Sequence, residues 1–464
     1  MAGACTLVRL GLAAALATGA VKPSWAGRVT IGPGDAPQEI IDNAAEGDSV
    51  VLKAGEHRGT IHIKHRLTVE GEPGAILVGS GNGSVVVVSA PGAIVRGLVI
   101  RGSGRNLETM DAGVFIEKTA TRAVVEGNLI SGNLYGVYIH GAREAVVRQN
   151  EIIGIRAGRM NDAGNGVSVW DAPGAKVLHN EFRFGRDGIF SIASSKNVFS
   201  GNRFRDLRFA VHYMYTNDGE VTDNVSTDNT VGYAIMYSHR LTIRGNVSDG
   251  DRDRGFLFNF ANGSQITGNA VLGHLQPAAR WATSGQHDNE ANVPGLSGQR
   301  QSVPTLTTGG RIGPEKCVFI YNTNKNRFSD NWFEGCDIGI HFTAGSEGNE
   351  IVGNAFIKNR NQVMYVGTRY LDWSKNGRGN YWSDNPAFDL NGDGMGDSAY
   401  RPNDLMDKVL WTTPQAKVLM NSPAVQVIRW AQAQFPALLP GGVVDSHPLM
   451  VPPARPKFPE GGRP

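Results

Sequence analysis

Two stretches decide the fold: AVVEGNLISGNLYGVYIH (123–140) and NVFSGNRFRDLRFAVHYMY (197–215). Each reads x-V-x-x-N-x-I/V or a close variant, then a turn, then a short alternating run, with no helical spacing of the apolar positions. The asparagine at the centre recurs at Asn128, Asn150, Asn180, Asn202, Asn224, Asn246, Asn269, Asn331 and Asn354, mostly 22 or 23 residues apart. Short β-rich runs broken by Gly and Asn at this period predict an all-β chain, a right-handed parallel β-helix with rungs of about 22 residues and a short helical C-terminal tail. The asparagines are expected to stack as an internal ladder at one corner. Sixty glycines without a collagen period fit a chain of many turns.

Two intervals are longer. The step from Asn150 to Asn180 holds an extra loop, GIRAGRMNDAG, and the step from Asn269 to Asn331 holds an insertion near residues 275–314 that includes Trp281, His287 and Asp288. Both interrupt the solenoid without ending it. Upstream, APQEIIDNAAEGDSVVLKAGEHRGTIHI opens with a short amphipathic helix and passes into strands, as a cap over the first rung requires. The β-helix with its cap is assigned to residues 27–368 and the tail to 369–464. In that tail, Ser422 and Pro423 read as the start of a helix with apolar Ala424, Val427, Ile428, Ala431 and Phe435. Such a helix either plugs the last rung or meets a partner.

Residues 1–26, with Arg9, an apolar run from Leu10 to Ala20 and small residues around Trp25, read as a secretory signal. The apolar run is too short to span a bilayer. Removing Arg9 and Lys22 with it leaves 43 basic against 43 acidic residues, a balance that argues against a nucleic-acid partner. Cys317 and Cys336 then remain, free to pair in an oxidising compartment or to stay as buried thiols.

Counting from each corner asparagine, positions +9 and +11 are expected inside the solenoid: Val137 and Ile139, Ile189 and Ser191, Val211 and Tyr213, Tyr233 and Ile235. Period-two alternation then sends +10 and +12 outward: Tyr138 and His140, Phe190 and Ile192, His212 and Met214, Ala234 and Met236. Met214 and Met236 become neighbours on adjacent rungs, with His212 beside Met214 and His239 just past the strand as a further donor. Thioether with imidazole suits Cu(I), because thioether is a poor ligand for calcium or magnesium. The same residues, with Phe190, Tyr215 and Tyr237, also suit an adaptable protein-contact face. In DLNGDGMGD, Asp389, Asn391, Asp393 and Asp397 occupy positions 1, 3, 5 and 9 of a calcium-type loop, with Tyr400 where glutamate would stand, so the loop binds calcium or is a metal-free turn. An extracellular β-helix enzyme acting on acidic polysaccharide, a lyase or epimerase, is the alternative class. No outward column offers it paired carboxylates, and Asp206, Arg208, Asp249 and Arg252 read as solvated turn charges.

Together CVFIYN, FEGCDIGIHFTAGSEGNEIVGNAFI, GRGNYWSDNPAFDLNGDG, AYRPNDLMDKVLW and SPAVQVIRWAQAQFPALLPGGVVDSHPLM resemble the NosD family, over most of the chain. The resemblance implies a non-enzymatic periplasmic protein docked on an ABC-type complex of a cytoplasmic ATPase and a membrane permease, and peripheral to the membrane through that permease. It implies copper received from a copper chaperone and passed toward the copper–sulfide centre of nitrous oxide reductase. It assigns that copper to His212, Met214 and Met236, and the tail helix to the permease contact. The insertion near 275–314 is longer than the family pattern leads one to expect.

Overall fold

The computed structural model describes residues 27–456 apart from 157–159, 275, 278–310, 313, 344, 368, 405, 408, 410–412, 420–421 and 435–440. Residues 1–26, expected to be a secretory signal, the insertion residues Trp281, His287 and Asp288, and Phe435 lie outside the described residues. The rest of the repeat folds as a right-handed parallel β-helix. Each rung gives one strand to each of three parallel sheets, which hold thirteen, twelve and thirteen strands among the described residues. One rung runs through Val198–Ser200, Arg203–Arg205 and Phe209–Met214, and the next through Glu220–Thr222, Val225–Thr227 and Val231–Met236, each strand pairing in parallel with its counterpart.

The corner chemistry follows from the repeat. From Asn128 to Asn354, the residue before each ladder asparagine turns the chain with positive φ, a conformation that glycine adopts freely (Gly127 at 61°, Gly201 at 67°) and that Asp223 (56°) also takes. The asparagine that follows points inward. From Asn128 to Asn380, each carboxamide nitrogen donates to the oxygen of the next rung's asparagine at 2.8–3.0 Å. Each also donates to a carbonyl of the preceding rung, as Asn202 does to Val177 at 2.8 Å. An amide buried without these partners costs about 1–3 kcal/mol, so the ladder ties register to composition. Asn269 bonds directly to Asn331, which makes the insertion an excursion between two rungs that still touch.

The expected inward residues are inward: Val137, Ile139, Ile189, Ser191, Val211, Tyr213, Tyr233 and Ile235 are all fully buried. The polar ones among them mostly find partners. Tyr233 donates its hydroxyl to the carbonyls of Asn224 and Val247 at 2.9 Å, and Ser191 pairs with Thr216. Stacked rings fill the wider rungs, as in Phe182 against Phe204 at 4.9 Å. Cys317 and Cys336 form a disulfide inside this core, in the rung that follows the insertion.

Both ends are closed. Helix Pro37–Asn43 starts on proline and sinks Ile41 into the core of the first rung. At the far end the chain leaves after Tyr381–Trp382 and returns as Val443–Val444, which pairs with Leu371–Asp372. Asp445 then accepts hydrogen bonds from the Asn380 backbone at 2.6 Å and from Trp382 Nε1 at 2.7 Å, ending the ladder. The tail helix, Pro423–Gln434, does not plug the last rung. Val425 is buried, while Ala424, Val427, Ile428 and Trp430 face solvent. No helix among the described residues is long and apolar enough to cross a membrane.

Candidate metal centre on the twelve-stranded face

The register of the twelve-stranded sheet arranges its outward side chains in two columns. One runs His140, Trp170, Ile192, Met214, Met236 and Asn259. The other passes through Phe190, His212, Ala234, Leu257, Phe319, His341 and Met364. Met214 and Met236 are therefore register partners on adjacent strands, and His212 lies two residues before Met214 on the same side. Both methionines are half-buried.

This face is less open than alternation alone suggests. Ala234 and Val231 are buried outside the solenoid core, in a cluster with Leu257 against which Met236, Phe209 and Phe319 pack. His212 is only 8% exposed. Its ring sits 4.9 Å from Phe190 and 5.0 Å from Phe209, centroid to centroid. Its Nδ1 faces Asp187 Oδ2 at 3.1 Å, and its Nε2 is buried with no hydrogen-bond partner.

Asp187 is the residue that sequence reading missed. It is fully buried, in register with Phe209 on the next rung and Val231 on the one after, so a carboxylate stands in line with two apolar residues. That mismatch is the signal by which it could have been found. Arg208 grips it through Nε at 2.8 Å and Nη2 at 2.7 Å. Burial pushes the Asp187 carboxyl up, but hydrogen bonds from His212 and Arg208 outweigh it and hold the group below its ordinary value. Arg208 is accordingly no solvated turn charge. Asp249 likewise departs from that expectation, being buried and bonded to His274 Nδ1 at 2.5 Å.

Beyond the methionines the chain turns through Tyr215, Tyr237 and Phe260, all at positive φ (50°, 48° and 52°). Aromatic residues rarely adopt this backbone, which costs on the order of 1 kcal/mol at each. Their rings stack at 5.0 and 5.1 Å, and Tyr215 is 53% exposed. His239 lies past this corner, bridged to Asn262, and does not share the face of Met214 and Met236. Further along, His341 and Met364 form a second imidazole–thioether pair of register partners.

In the DLNGDGMGD loop the carboxylates serve the turn itself. Asp389 accepts the N–H groups of Gly392 (2.7 Å), Asp393 (3.2 Å) and Gly394 (2.9 Å), and Asp397 accepts that of Leu390 (2.7 Å). Asn391 donates to Asp393 at 3.0 Å. Among the described residues no three His, Cys, Asp or Glu side chains converge as a metal-holding group. A centre on the twelve-stranded face would therefore draw on thioether sulfur as well as imidazole.

Residues 154–387 match the family described as "Periplasmic copper-binding protein (NosD)". The chain is 41% identical over 399 residues to the "Probable ABC transporter binding protein NosD" of Stutzerimonas stutzeri, covering 86% of each chain. It is 40% identical over 419 residues to the protein of the same description from Pseudomonas aeruginosa, covering 90% of this chain and 92% of that one. Among solved structures, the catalytic domain of a GH87 alpha-1,3-glucanase aligns with a TM-score of 0.52 at 12% identity, over 74% of this chain and 66% of that one. That likeness is one of fold alone.

Proposed function

This chain belongs to the NosD family, and from that premise we propose that it serves in the periplasm as the binding subunit of an ABC-type transport complex. It binds and hands on Cu(I) for assembly of the copper–sulfide centre of nitrous oxide reductase, and is not an enzyme. One observation carries the copper assignment: Met214 and Met236 are register partners, and His212, two residues before Met214 on the same side, has a buried Nε2 without a partner.

The chemistry follows from spacing and softness. Adjacent strands lie about 4.8 Å apart. Opposing ligands at about 2.0–2.3 Å from a metal stand roughly 4–4.6 Å apart. Two thioethers with one imidazole favour Cu(I) over hard cations. The strands fix the spacing, while the unbranched methionine side chains can swing away as a receiving protein's ligands approach. A copper chaperone supplies the ion. On the membrane side, the exposed Val427, Ile428 and Trp430 meet the permease, whose ATPase lies in the cytoplasm.

The test is a Cu(I) competition titration against a chromophoric chelator, under reducing and anaerobic conditions. Met214→Leu with Met236→Leu keeps volume and apolarity, at less than about 1.5 kcal/mol per site. Cu(I) affinity is expected to collapse, and nitrous oxide reductase produced beside the variant to lack its copper–sulfide centre. Unchanged affinity places the copper elsewhere.

A further inference from the structure

We propose that Asp187, clamped by Arg208, is a positioning residue that holds the proton of His212 on Nδ1 and so presents the Nε2 lone pair as the nitrogen donor to Cu(I). The proposal rests on the copper reading above and assigns which atom of His212 takes part and what keeps it ready.

The geometry leaves little freedom. An ionised carboxylate only accepts hydrogen bonds, so Nδ1 must donate across its 3.1 Å contact with Asp187 Oδ2. In the neutral ring the lone pair then falls on Nε2, the nitrogen that is buried without a partner. A buried polar atom left unpaired requires a reason, and a soft cation arriving from the methionine side supplies one. The ring cannot easily turn over to exchange its nitrogens, because it is 8% exposed and the Phe190 and Phe209 rings pack against it at 4.9 and 5.0 Å. Asp187 is immobile as well, since Arg208 holds both of its oxygens. A carboxylate behind a metal-bound histidine fixes tautomer and ring orientation, and removing such a partner typically costs ten- to a hundredfold in metal affinity.

The arrangement also accounts for a fully buried carboxylate beside the apolar Phe190 and Phe209. Arg208 grips both oxygens of Asp187 and Arg186 Nε lies 3.9 Å from one of them, so the carboxylate is held charged behind the imidazole. A purely structural ion pair would not need the imidazole as a third member.

The first measurement needs no variant and no copper. In protein labelled with [15N]histidine, with the His212 signals identified by their loss in His212→Gln, wild type should show a protonated Nδ1 and an unprotonated Nε2. The opposite tautomer overturns the proposal. The second uses Asp187→Asn, where Arg208 still seeks the oxygen and the amide NH2 turns toward His212, which then must accept through Nδ1. The same exchange in hydrolytic triads traps the wrong tautomer. The Asp187→Asn protein, with wild-type far-UV circular dichroism, should show a protonated Nε2 and a Cu(I) affinity about ten- to a hundredfold lower. A switched tautomer with unchanged affinity, or an unswitched tautomer, overturns the proposal. Loss of copper in the methionine double variant alongside undiminished binding in Asp187→Asn would overturn only this inference, whereas copper retained in the methionine variant overturns the reading beneath it.

Discussion

At the scale of single residues, buried ionisable groups set the response of this protein to acid. His341 is pushed down to about 4 by burial and by the nearby cations Lys316 and Arg254, against an ordinary 6.5. As pH falls through 6.5 the unfolded chain takes up a proton that the folded chain refuses, so His341 withdraws stability progressively until pH reaches about 4. Asp251 acts with the opposite sign. Burial raises it to about 7 from 3.8, against the opposing hydrogen bonds of Ser226, Ser248 and Asn229, so its penalty grows as pH rises across that window. The two effects overlap in wild type, and a variant separates them. In His341→Phe, the urea midpoint at pH 5 relative to that at pH 7 should be higher than in wild type, because the variant keeps the Asp251 effect and loses that of His341. The same pH 5 to pH 7 difference in both proteins would mean that His341 titrates normally in the folded protein. Sequence reading placed Met214, Met236 and His212 on one face, because a period of two needs only counting. It did not find the burial of His212 or its bond to Asp187, because these depend on which side chains from neighbouring rungs lie against them.

At the scale of elements, the tail helix Pro423–Gln434 departs from the usual pattern in which an amphipathic helix turns its apolar stripe toward its own core. Val427 and Trp430 are each 63% exposed and Ile428 37%, with Val425 buried. A surface of this kind on a helix too short to span a bilayer fits contact with another protein. Ile428→Asp with Trp430→Asp should abolish co-purification with the permease from detergent-extracted membranes. The far-UV spectrum and melting curve should stay close to wild type, because these side chains support no rung. Retention of the permease at the wild-type level would remove the docking role. The capped apolar stripe was legible from Ser422 and Pro423 onward, but its exposure was not. Periodicity says which residues share a face and says nothing about what that face meets.

At the scale of the whole molecule, stability in a solenoid is close to a sum over neighbouring rungs, so damage stays local. Asp445 offers a test. Asp445→Ala leaves the Asn380 backbone N–H and Trp382 Nε1 buried without partners, at a cost of about 1–3 kcal/mol for each unsatisfied group. Hydrogen exchange should quicken around Tyr381–Trp382 and Val443–Val444, while the rungs through Phe209–Met214 keep wild-type protection. Exchange that rises evenly along the chain would show instead that the solenoid unfolds as one unit. The sequence by itself determined the period, the inward and outward columns, the asparagine ladder and the cap on the first rung. The first three are properties of one repeat, specified by local turn chemistry and alternation and copied from rung to rung, whereas the cap follows from the local helix signal that begins at Pro37. Only the tertiary structure decided that residues 443–445 return to seal the last rung, that Cys317 and Cys336 pair, that the tail helix faces outward, and that Asp187 stands behind His212. Those contacts join residues from different rungs, or from outside the repeat, and their distances are set by how the chain packs and not by any spacing along it.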